Sequence, residues 1–137
     1  MMARQAGLLV ADEIYYNLYG KATLQGVYHG DITIPADPAK PPQLIFYFMA
    51  EADLTDAFRS LTAEVTLPES SPVEEEVRII PPEVIRNAIA AGEDRAFYRY
   101  PLLLRRPVLH PGKIKVRMIH ESGEIVVGAP SIVLVSS

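Results

Sequence analysis

The sequence predicts an all-β domain: an antiparallel immunoglobulin-like β-sandwich of about seven to nine strands, with one short helix near residues 82–91. Three observations carry this. Apolar and polar residues alternate with a period of two along most of the 137-residue chain. Proline, at 12 residues, makes up about 9% against a usual ~5%, while Gly is only 8, which points to many short elements. One segment alone has helical spacing. With 49% hydrophobic residues, the chain can bury a sizeable core, and with neither a repeat nor a linker, residues 1–137 read as a single domain. A closed barrel is the alternative architecture.

In residues 8–16, Leu8, Val10, Asp12, Ile14 and Tyr16 fall on one side and Leu9, Ala11, Glu13 and Tyr15 on the other, which predicts a strand. Asn17-Leu18-Tyr19-Gly20 has the Asn and Gly of a three-residue hairpin loop, so residues 21–29 return as the partner strand. If Asn17 faces Lys21, Asp12 faces Gly26, and a carboxylate sits across from a residue with no side chain. The segment 32–42 carries four prolines and reads as a surface connection. Residues 44–50, Leu-Ile-Phe-Tyr-Phe-Met-Ala, are apolar on both faces. That predicts a central strand covered on each side, or covered on its second side by another subunit, with Tyr47 among the core residues.

Residues 58–67 alternate cleanly until the Pro-Glu-Ser-Ser-Pro run closes the strand. Residues 73–79 continue the alternation, with Glu75 falling on the apolar side. Pro81-Pro82-Glu83 then opens the helix: Val84, Ile85, Ala88 and Ile89 share a face, the acid lies in the first turn and Gly92 follows the last periodic residue. Tyr98, Tyr100, Leu102 and Leu104 alternate with Arg99, Pro101 and Arg105, and Pro101 argues for a strand edge or a bend. Ile114, Val116 and Met118 mark another strand, and Glu121-Ser122-Gly123-Glu124 turns the chain into a last strand pair ending at residues 132–135.

Charge and composition exclude several functions. Thirteen Lys+Arg against seventeen Asp+Glu give a net charge of -4, so the summed positive field that phosphate backbones require is missing and nucleic acid is not an expected partner. Without cysteine there is no disulfide framework, thiolate metal site or cysteine nucleophile. No stretch reaches the ~18 apolar residues of a membrane span, and the apolar run at 6–11 is short for a signal peptide, so the expectation is a soluble, cytoplasmic protein.

The residues also carry a resemblance. Ala11-Asp12-Glu13, the hairpin residues Gly20-Lys21, and Leu24-x-Gly26-Val27-Tyr28 resemble the start of a bacterial family of uncharacterised β-sandwich domains, in which an acidic pair is followed by Gly-Lys and a Leu-x-Gly-Val-Tyr-like strand. The later Pro111-Gly112-Lys113 and Gly123 hairpin, followed by an apolar strand, is similar to that family's tail. The resemblance implies a sandwich fold and no activity.

Candidate sites follow from residue type and place. His29, His110 and His120 invite a metal, but His110 and His120 bracket one strand and lie ~30 Å apart if it is straight, so no metal and no cofactor are expected. Turn acids such as Asp31, Asp37, Asp53 and Asp56 lack the density of a calcium loop. An up-and-down strand layout gathers Glu51, Asp53, Asp56, Glu93, Asp94, Glu121 and Glu124 at the helix end and Arg105, Arg106, His110 and Lys113 at the other, so Arg105 and Arg106 are candidate partner contacts. Asp12 is the acid singled out: it either pins hairpin register, with Lys21 or nearby amides as its partner, or occupies a partly buried site. No nucleophile elbow, phosphate loop, dinucleotide fingerprint or zinc-protease motif is present, and enzymatic activity is not expected. The leading expectation is a non-enzymatic binding or assembly module that forms a homodimer or docks a partner protein, with Ile45, Tyr47 and Met49 of the doubly apolar strand at the contact. The alternative is a small-molecule or carbohydrate-binding protein, or an unrecognised enzyme, with a cleft near the helix and the Asp12 strand.

Overall fold

In the computed structural model, which describes residues 4–69 and 74–135, the chain forms eleven strands and one α-helix. They are β1 (Gln5–Tyr16), β2 (Ala22–Val27), β3 (Ile32–Ile34), β4 (Gln43–Asp53), β5 (Ser60–Thr66), β6 (Glu74–Ile79), α1 (Pro82–Ala90), β7 (Arg95–Arg105), β8 (Gly112–Lys113), β9 (Lys115–His120), β10 (Gly123–Val126) and β11 (Ser131–Leu134), with a 3-10 turn at Leu54–Asp56. The architecture is all-β and sandwich-like. A first sheet has the order β2-β1-β4-β7, a second β10-β9-β5-β6, and a small third β3-β11-β8. The expected Ser70-Ser71-Pro72 turn and Val73 lie outside the described residues.

The core lies between the sheets. Phe46, Phe48, Leu102 and Leu104 of the first sheet meet Leu61, Ala63, Val65 and Met118 of the second and Ile32, Ile34 and Ile132 of the third. Period-two alternation accounts for these contributions: in β5, Leu61, Ala63 and Val65 are buried and their neighbours half-buried. Phe58 closes one end, edge-on to Tyr98 at 5.4 Å between ring centroids.

The first hairpin follows its turn chemistry. Asn17 Oδ1 accepts hydrogen bonds from the Tyr19 and Lys21 N–H groups, and Gly20 takes φ +76. The Asn17 N–H donates to the Lys21 carbonyl, the pairing the loop predicts. Helix α1 also starts and stops on its predicted signals: Pro82 opens it, Glu83 lies in the first turn, and Gly92 follows it at φ +82.

Two connections differ from the sequence reading. The proline-rich segment 32–42 is only partly a surface loop, because Ile32 and Ile34 are buried in β3, and β3 pairs in parallel with β11. The last strand pair is divided: β10 pairs with β9, while β11 leaves for the third sheet. Three residues are too few to show a period, and a pairing with residues 132–134 has no local signature.

Candidate functional site

Strand β4 is central in the first sheet, between β1 and β7. Its Leu44, Phe46, Phe48, Ala50 and Ala52 face the core. Its other face carries Ile45, Tyr47 and Met49. The register sets Ala11 and Leu103 beside Ile45, Leu9 and Pro101 beside Tyr47, and Gly7 and Arg99 beside Met49. This outer face is therefore apolar across three strands around Ile45 and Tyr47, with the charged Arg99 beside Met49, although the second sheet packs on the opposite side. Leu9 and Leu103 are 38% exposed and Phe97 56%, and Tyr47 and Met49 are half-buried.

Two expectations are corrected here. Ile45 is 1% exposed, so its own chain buries it and it cannot be a contact residue. Tyr47 lies on the outer face and not among the core residues. Arg105, opposite Gln43, marks one end of the face, and Arg106 follows it at φ +49 with its N–H on the Pro42 carbonyl. Both arginines are exposed.

A second surface lies between α1 and β7. It is a cleft of about 920 Å³ with Ile79, Ile80, Val84, Ile85 and Ala88 on one wall, residues 93–101 on the other and Tyr16 contributed by β1. The helix buries none of its residues, and Val84 and Ile89 are 56% and 51% exposed. Its apolar stripe therefore faces the cleft more than the core. Pairing with β4 occupies β1 only as far as Ala11, and beyond it β1 continues with β2 as a two-stranded ribbon that carries Tyr16.

Asp12 stands where the hairpin register predicts. A Cβ added to Gly26, which has φ +71, would lie 2.5 Å from Asp12 Oδ2, so the carboxylate occupies the space that glycine leaves. The expected partner is wrong. Lys21 lies at the turn, five residues along a strand that rises about 3.4 Å per residue, out of reach. Tyr28 instead donates its hydroxyl to Asp12 Oδ1 at 2.8 Å, and burial together with this bond pushes the Tyr28 hydroxyl up to about 12. Asp12 is exposed rather than partly buried and does not line the cleft. Its hydrogen bond from Tyr28 links β1 to the residue that follows β2.

Several charged groups near the helix end are paired. Arg95 meets Asp53 at 2.8 Å and Glu51 at 3.3 Å. Arg4 stacks on Phe58, 4.5 Å from the ring centroid, and donates to Glu121 Oε1 at 2.7 Å, to the Ala57 carbonyl and to His120 Nδ1. The Ser122 N–H also donates to His120 Nδ1, so that nitrogen carries the lone pair. Partial burial pushes the Glu121 carboxyl up. Its own backbone N–H, the Arg4 guanidinium and the Arg59 N–H outweigh this and bring it down to about 2. His110 pairs with Asp37 at 2.8 Å and Glu69 at 3.1 Å, a set of partners separate from that of His120. The Arg4 clasp escaped the sequence reading because it joins residues more than fifty positions apart. Compared with family models, curated proteins and solved structures, the chain matches none.

Proposed function

We propose that the protein is a cytoplasmic, non-enzymatic assembly module that pairs with a second copy of itself through the outer face of the first sheet. The observation that carries this reading is the apolar outer side of β4 and its neighbours, with Leu9, Tyr47, Met49, Phe97 and Leu103 open or half-open to water. An antiparallel sheet covered on one side normally turns polar residues outward. The flanking charges suit a two-fold pairing. Glu13 lies on β1 two residues beyond the Ala11–Ile45 pair, and Arg105 lies on β7 opposite Gln43. A two-fold axis along the strands brings Glu13 of one copy over Arg105 of the other. The resemblance to the bacterial family of uncharacterised sandwich domains belongs to this proposal and adds no activity to it.

Size-exclusion chromatography with light scattering tests the pairing. A dimer is expected for the natural chain, and a monomer with unchanged circular dichroism for Leu9→Glu with Leu103→Glu. A natural chain that stays monomeric at its highest soluble concentration would falsify the proposal.

A second reading is favoured by the α1–β7 cleft. Its volume of about 920 Å³ falls in the range of ligand sites, and apolar walls with a few polar groups are the usual lining of such sites. In this reading the protein binds a ligand at the helix, close to the strand that carries Asp12. A ligand screen by thermal shift is the direct measurement, because a bound ligand raises the melting temperature by mass action.

A further inference from the structure

The geometry points to an extended peptide as the occupant of the α1–β7 cleft, added to β7 as a fifth strand of the first sheet; this rests on the reading of the cleft as a binding site. Strand β7 pairs with β4 on one side only. On that side the Asp94 carbonyl accepts from the Leu54 N–H, and the Arg106 N–H donates to the Pro42 carbonyl. Residues of even number therefore point their backbone groups at the β4 side. Alternation along the strand turns the N–H and C=O of Arg95, Phe97 and Arg99 the other way, to the free edge. Pro101 belongs to the same odd set, so its missing N–H costs the β4–β7 ladder nothing.

This edge, residues 93–101, forms one wall of the cleft, and the apolar side chains Ile80, Val84, Ile85 and Ala88 form the other. An extended peptide answers both walls at once. Its main chain pairs with Phe97 and Arg99, and its alternate side chains reach the helix. A compact apolar compound leaves the edge groups to water, and a helix has no free main-chain groups to offer them. The exposed charges add a polarity. Glu93 and Asp94 stand at one end and Arg99 toward the other, about 17 Å apart along the strand at ~3.4 Å per residue. An antiparallel segment of about six or seven residues, acidic at its start and basic at its end, meets both charges, and antiparallel pairing is the more stable ladder. Pro101 ends the ladder for want of a donor.

The test uses the full chain and a synthetic peptide, acetyl-Glu-Val-Thr-Val-Thr-Val-Lys-amide, titrated by calorimetry. Saturable one-to-one binding is expected, weakened about tenfold or more when the peptide's alternate backbone amides are N-methylated. Arg99→Glu is expected to weaken the peptide and to strengthen a version whose first residue is Lys. Ala88→Trp, which fills the cleft, is expected to abolish binding while circular dichroism stays unchanged. Equal affinity of the N-methylated peptide overturns strand addition. A melting-temperature rise with the apolar dye 1-anilinonaphthalene-8-sulfonate but no peptide binding overturns the peptide and leaves the cleft as a small-ligand site. Binding of neither overturns both readings of the cleft. A dimer abolished by Ala88→Trp and kept by Leu9→Glu with Leu103→Glu assigns the cleft to a second copy and overturns the peptide.

Discussion

The two faces of β4 carry nearly the same chemistry and have opposite fates. On the inner face Leu44, Phe46 and Phe48 are each 0% exposed, locked between the sheets. On the outer face Tyr47 and Met49 stay half-buried, beside Leu9 and Leu103 at 38%. Alternation makes a strand, yet only an opposing layer makes a face into a core. An apolar face without such a layer stays open to water, and the comparison between the two faces is where the protein can best be probed.

The largest effect is expected on the inner face. Phe46→Ala should cost about 4 kcal/mol, because it removes a ring and leaves a cavity between rigid sheets. Tyr47→Ala, one residue along, should cost about 1–2 kcal/mol, since a half-buried ring gives up less surface. Urea denaturation of both variants measures the contrast, and equal losses would show that the outer face is a core of its own.

Next in size is the ribbon that continues β1 and β2 beyond the sheet. Gly26→Ala places a side chain at φ +71 and against Asp12, at an expected cost of about 1–2 kcal/mol from the left-handed conformation alone. Asp12→Ala should recover part of the loss, with a coupling of about 0.5 kcal/mol or more in a double-mutant cycle. Strict additivity would mean that the carboxylate and the glycine do not share the space.

The most specific effect concerns the clasp over Phe58, and it is read from the pH dependence of stability. In the folded chain Glu121 titrates at about 2, below its ordinary 4.5. Its stabilisation is therefore present above about 4.5 and lost as pH falls toward 2, where folded and unfolded chains both bind the proton. Glu121→Gln should flatten that part of the stability–pH curve. An unchanged slope would mean that Arg4 holds the turn without this carboxylate.

Much of this fold was legible because its signals are local. Asn17 and Gly20 set the hairpin register and with it the meeting of Asp12 and Gly26; Pro82 and Gly92 bounded the helix; Pro101 marked an edge or a bend. The central place of β4 followed from its two apolar faces. What escaped the reading is held by distant pairings. Three-residue β3 hid in a proline-rich segment, and Tyr28 reached Asp12 where Lys21 was expected. The cleft near the helix was anticipated as a place, but its walls come mostly from residues 79–101 folding back on one another, with Tyr16 and Leu54 added from elsewhere, which no periodicity announces.

The parallel pair of β3 and β11 has a consequence for the order of folding. Ile32 lies beside Ile132, so this contact closes a loop of about a hundred residues, the kind of pairing that forms late. On the ribosome, Ile32 and Ile34 emerge about a hundred residues ahead of their partner strand and wait for it. During that interval they are bare apolar side chains on an open strand, shielded by nearby prolines that cannot extend a sheet.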